Sequence, residues 1–133
     1  MYLCNVNYTE IFDDMPWPRF EIKDLDGNVL LSCKAQKFAL LPFLCADLRR
    51  ADFRGRDLRL ADFRDCDLSG ADFTGANLEN ARLDRAVIDG TVFTGTNLKG
   101  TRVCGCDYRR AIDFDSSRVL EVSCDNSGIG IWK

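Results

Sequence analysis

The chain of 133 residues contains no histidine. That absence removes the commonest general base and zinc ligand, and with them any Ser/His/Asp or Cys/His nucleophilic set. Long hydrophobic runs are missing too. No uncharged stretch exceeds nine residues, against the roughly 18 apolar residues that a membrane helix needs. The N-terminus pairs no basic region with an apolar core and a cleavage site, so no secretory signal is expected. No Gly-rich phosphate loop and no C-x-x-C pair occur. The seven cysteines are odd in number and, without a signal, fit neither a disulfide framework nor a zinc site. They are expected to be buried thiols of a reduced, cytoplasmic protein. No metal and no cofactor is expected, and no enzymatic activity.

What is present is a period of five. Written in fives from Leu41, the chain reads LPFLC ADLRR ADFRG RDLRL ADFRD CDLSG ADFTG ANLEN ARLDR AVIDG TVFTG TNLKG TRVCG CDYRR. The third place, from Phe43, Leu48, Phe53 and Leu58 to Val103 and Tyr108, is large and apolar in all fourteen units. The first place is mostly Ala, Thr or Cys. The remaining places are mainly polar or glycine. An α-helix turns roughly 100° per residue, so a period of five would scatter the large residues around it. A plain strand needs period two. A short extended piece followed by a corner satisfies both, with the first and third places inward and the fifth, often glycine, in the turn. The chain is therefore expected to wind into a solenoid.

Phe53, Phe73 and Phe93 lie twenty apart, as do Leu58, Leu78 and Leu98. Four sides per coil would stack like on like. Three sides would set Phe53 beside Leu68, and two would leave little interior for phenylalanine. Residues 41–110 then make about three and a half coils, or about 17 Å at ~4.8 Å per coil. The pattern A-[DN]-[LF]-x-x in Ala46-Asp47-Leu48, Ala51-Asp52-Phe53, Ala71-Asp72-Phe73 and Ala76-Asn77-Leu78 resembles the pentapeptide-repeat family. The resemblance implies an all-β fold, a right-handed quadrilateral β-helix. Arg56 departs from the pattern at an inward small slot. It is expected either to reach an acid in the N-terminal segment or to snorkel outward.

Three segments of one structural domain are expected: an N-terminal segment 1–40, the β-helix 41–112 and a C-terminal cap 113–133. Residues 16–35 read as a capping hairpin, with apolar strand residues on either side of the turn Asp24-Leu25-Asp26-Gly27-Asn28. Arg118-Val119-Leu120-Glu121-Val122 and Gly128-Ile129-Gly130-Ile131-Trp132 read as short strands folded over the last coil. Alternatively, Ile129, Ile131 and Trp132 form a dimer contact, so a monomer and an end-to-end homodimer both stay open.

Charge is patterned along the chain. From Ala46 to Asn80, six Arg face seven Asp and one Glu; from Ala81 to Arg110, six basic residues face three acidic ones. Asp47, Asp52, Asp57, Asp62, Asp67 and Asp72 hold the second place of successive units, where Asp also satisfies turn backbone. Arg49, Arg54, Arg59 and Arg64 hold the fourth, so a solvated surface of weak ion pairs is one reading. The family resemblance implies another: DNA mimicry, in which surface carboxylates occupy the DNA site of a bacterial DNA-handling complex. Gyrase or a CRISPR surveillance complex is the type of target implied, and small phage-encoded inhibitors are the members it suggests. The candidate partner-binding residues are Asp47, Asp52, Asp57, Asp62, Asp67, Asp72, Asp113 and Asp115. The expected partner is a bacterial DNA-binding protein or complex, with no direct nucleic-acid and no membrane contact. The alternative is a general protein-interaction scaffold that uses the outward apolar residues Leu60, Val87 and Val92.

Overall fold

Burying one large side chain every five residues forces the backbone to turn a corner every five residues. The computed structural model, which describes residues 13–41, 43–120, 123–124 and 130–131, shows how the corner is made. From Ala46 to Cys106, the first-place N–H of every unit donates to the third-place carbonyl three residues back, at 2.8–3.2 Å. The fifth-place residue between them lies in the left-handed region, with φ of 58–71° from Cys45 to Gly105.

Parallel bridges twenty residues apart join successive coils on four sides. The first side carries Asp47, Asp67 and Val87; the second Asp52, Asp72, Val92 and Ile112. The third carries Asp57, Asn77 and Asn97, and the fourth Asp62, Arg82, Arg102 and Leu120. The chain is thus a four-sided β-helix through the repeat segment. Its axis is filled by the third-place residues, with Phe43, Phe53, Phe63, Phe73 and Phe93 all fully buried. Like stacks on like: Phe53 on Phe73 at 4.9 Å, Phe73 on Phe93 at 5.4 Å, and Phe43 on Phe63 at 4.6 Å between ring centroids. Each such side chain contributes roughly 1.5–3 kcal/mol of burial. Where the first place is polar, the inward hydroxyl is satisfied: Thr91, Thr96 and Thr101 donate to the carbonyls of Leu68, Phe73 and Leu78 at 2.7–2.8 Å.

At the N-terminal end, β1 (Arg19–Lys23) and β2 (Val29–Lys34) form an antiparallel hairpin. Its turn is held by Asp24, whose carboxylate accepts the N–H groups of Asp26 and Asn28 at 2.9 Å. The end of β1 lies antiparallel on the second side: Leu25 N–H donates to Arg50 O and Asp52 N–H to Lys23 O. A 3₁₀ turn, Phe38–Leu40, leads into the first full coil. Among the described residues Arg56 makes no ion pair with an acid; its guanidinium lies 4.6 Å above the Phe38 ring. The large residue in a small slot is thus exposed and uses an aromatic face.

The last coil is shorter than those above it. Ile112 lies twenty residues after Val92, but Leu120 bridges Arg102 after only eighteen. Leu120 makes a single bridge where a strand over 118–122 was expected, and residues 121–122 lie outside the described residues. β3 (Ser123–Cys124) pairs antiparallel with β4 (Gly130–Ile131). Ile129 and Trp132, candidates for a dimer contact, also lie outside the described residues.

The expectation that every cysteine is a thiol needs correction. Cys33, Cys45, Cys66 and Cys106 are thiols, but Cys104 is disulfide-bonded. Cys104 stands in the outward-reading fourth place of its unit, yet it is buried, a point that count and spacing do not reveal. Among the described residues, no helix is long and apolar enough to cross a membrane.

Candidate functional site

The second-place aspartates are locally committed. Asp47, Asp52, Asp57 and Asp62 each accept the main-chain N–H two residues on, at 3.1–3.3 Å, which fixes the carboxylate beside the corner. The residue two on is arginine in all four units, and its guanidinium closes a fork on the same carboxylate. For Asp52 and Arg54 both arms measure 2.9 Å; for Asp57 and Arg59 they measure 2.9 and 2.8 Å. Asp107 and Arg109 repeat the fork at 2.9 and 2.8 Å. Arg59 and the turn N–H hold the Asp57 carboxyl down to about 2. Asp47 and Asp52 are lowered chiefly by Arg49 and Arg54. Burial pushes Asp62 up, but the Arg64 fork and turn N–H leave it below the ordinary range.

Further down the helix the partner changes. Ser69 and Thr74 replace arginine, so Asp67 and Asp72 accept a hydroxyl and an N–H instead. Asp67 still feels Arg49, whose Nε lies 4.0 Å from its Oδ2. On the fourth side the column turns basic. Arg82 and Arg102 lie 3.3 and 3.8 Å from the carboxylate of Asp84. That carboxylate is buried and accepts the Cys104 N–H at 3.0 Å.

The six second-place aspartates therefore lie where the repeat predicts, ringing the first coil on four sides and the second coil on two. Asp113 and Asp115 do not join them. They follow Ile112 in the last coil, where Asp113 accepts the Thr94 hydroxyl at 2.7 Å and Asp115 accepts from Ser117. The carboxylates do not gather into one bare acidic face. The signal for this was in the sequence: the D-x-R spacing of Asp47-Leu48-Arg49 through Asp62-Phe63-Arg64 places a guanidinium in reach of each Asp across a single corner.

Outward apolar residues form the other feature. Leu60 is 67% exposed, and Val87, Ile112 and Leu120 are nearly half exposed. Val87 and Val92 sit on adjacent sides of one coil, and Ile112 lies directly below Val92. Ile112 and Leu120 lie beyond the last regular unit, so the period did not point to them. Among the described residues, no group of three or more Cys, Asp or Glu is placed to hold a metal ion.

Comparison with known proteins agrees with this geometry. The family described as pentapeptide repeats matches in eight copies, over residues 46–85 and 71–107. The chain is also similar to the crystal structure of a pentapeptide repeat protein from the thylakoid lumen of Arabidopsis thaliana. The two share 25% identity with a TM-score of 0.53, over 58% of this chain and 52% of that one. The match thus spans about half the length of that protein. No curated protein matches the sequence significantly.

Proposed function

We infer that this pentapeptide-repeat chain is a non-enzymatic protein-interaction scaffold. The observation that carries the reading is the outward apolar group of the exposed Val87 and Ile112 and the half-buried Val92, set on two adjacent sides of a β-helix whose polar side chains are largely paired with one another. A rigid ladder holds these side chains at fixed spacing, so little ordering entropy is lost when a partner covers them. Isolated exposed apolar residues are ordinary; adjacent ones at places where the repeat elsewhere carries Asp, Asn or Arg favour a docking patch.

The finer expectation, a DNA-mimicking inhibitor of a bacterial DNA-handling complex, draws on the stacked pairs Asp47 with Asp67 and Asp52 with Asp72. Phosphate mimicry works through uncompensated negative charge. Arg49 and Arg54 supply compensation to Asp47 and Asp52, which favours the scaffold. The experiment that separates the two is partner capture from a bacterial lysate, with and without excess duplex DNA. The scaffold reading expects a partner retained in the presence of DNA and lost when Val87 and Ile112 are both changed to Asp. A partner displaced by DNA and by salt, and lost on charge reversal at Asp47 and Asp67, would replace it with mimicry.

A further inference from the structure

Each coil of this β-helix offers its main chain to the coil above. In the second coil of the third side, the Asn77 N–H donates to Arg56 O, the Asn77 carbonyl accepts from Leu58, and the Glu79 carbonyl accepts from Leu60. One coil nearer the N-terminus, the equivalent groups are the N–H and C=O of Asp57 and the C=O of Arg59. Among the described residues these three have no main-chain partner. The strand that would have covered them is diverted: Phe38–Leu40 is a 3₁₀ turn, and Arg56 rests on the Phe38 ring. A groove of about 450 Å³ opens at this place, lined by Lys37, Phe38, Asp57, Arg59, Leu60 and Asn80 among others. Leu60 at its rim is 67% exposed and holds a left-handed φ of 67°.

We propose that this open edge of the third side is a docking site for an extended peptide segment of a partner protein, which adds one strand above Asp57. The proposal rests on the scaffold reading and names a surface and a partner chemistry for it. Unpaired donors and acceptors in strand register select an extended backbone over a helix. The neighbouring second side already takes such a strand, since the end of β1 pairs with residues 50–52. Asp47 on the first side is open in the same way, but the third side adds side-chain recognition. An apolar side chain of the peptide would sit between Phe38 and Leu60.

The test uses the full chain. In the free protein, the Asp57 amide should exchange with deuterium at least about tenfold faster than the Leu58 amide, which donates to Asn77 O. Equal protection would mean that the edge is already covered and would overturn the proposal. A phage-displayed random heptapeptide library is then panned on the protein. Selected peptides, made synthetically, should shift the amide resonances of residues 57–60, slow Asp57 exchange, and lose at least about tenfold in affinity on Leu60→Asp. Selection of no peptide, or of peptides that shift other residues, overturns the assignment. So does a dimer that Leu60→Asp dissociates, because it gives the edge to a second copy. A lysate partner held equally by wild type and Leu60→Asp but lost on the Val87 and Ile112 changes leaves the scaffold standing and removes this edge from it.

Discussion

Leu60 stands at a corner that seven other repeats give to glycine, with φ at 67°. The left-handed region costs an ordinary side chain about 1–2 kcal/mol, and glycine's extra unfolded freedom offsets about 0.5–1 of that. Leu60→Gly should therefore raise stability by about 0.5–1 kcal/mol and the Tm by about 2–4 °C. The opposite exchange at Gly100 should be harmful. A Cβ there would lie 2.2 Å from Asn80 Oδ1, in a residue with φ of 70°. Gly100→Ala should lower stability by about 1–3 kcal/mol. Urea unfolding of the two variants checks both signs. A Leu60→Gly protein no more stable than wild type would show that the corner carries no strain.

The repeating element is a corner with its own ion pair. Asp57 titrates near 2 because Arg59 and the turn N–H favour its charged form. Its folded value lies below its unfolded value. The stability it lends is therefore complete above the ordinary carboxylate range, about 4, and is lost as pH falls toward about 2. Arg59→Gln should bring the Asp57 carboxyl back toward the ordinary range in a ¹³C carboxyl titration, and should move acid unfolding to higher pH. An unchanged Asp57 midpoint would mean that the turn N–H alone sets it. This element was the most legible part of the sequence. Inward slots accept only large residues such as Phe63 or small ones such as Ala61, so the period exposes the corner directly. Arg56 was legible as an exception but not as a cation over Phe38, because the ring comes from a segment outside the repeat. The disulfide at Cys104 and the open edge at Asp57 were hidden for the same reason. Each depends on where a non-repeating neighbour goes.

At the scale of the molecule, Cys66 and Cys106 report on opposite parts of one continuous core. Burial pushes both thiols up to about 12, so neither should react with iodoacetamide in the folded protein at pH 8. With nearest-neighbour coupling across so few coils, both should become reactive at the same urea concentration. Mass-spectrometric labelling reads this directly, and an earlier midpoint for Cys106 would show that the C-terminal coil opens first. The shortened last coil has a consequence of a different kind. A screw thread can be prolonged only while its pitch is kept, and here the fourth side returns after eighteen residues instead of twenty. Another copy set against that end could match one flank of the thread but not all four at once. Among the described residues, a last return two residues short breaks the pitch that a regular solenoid would need in order to be continued by stacking into a fibre.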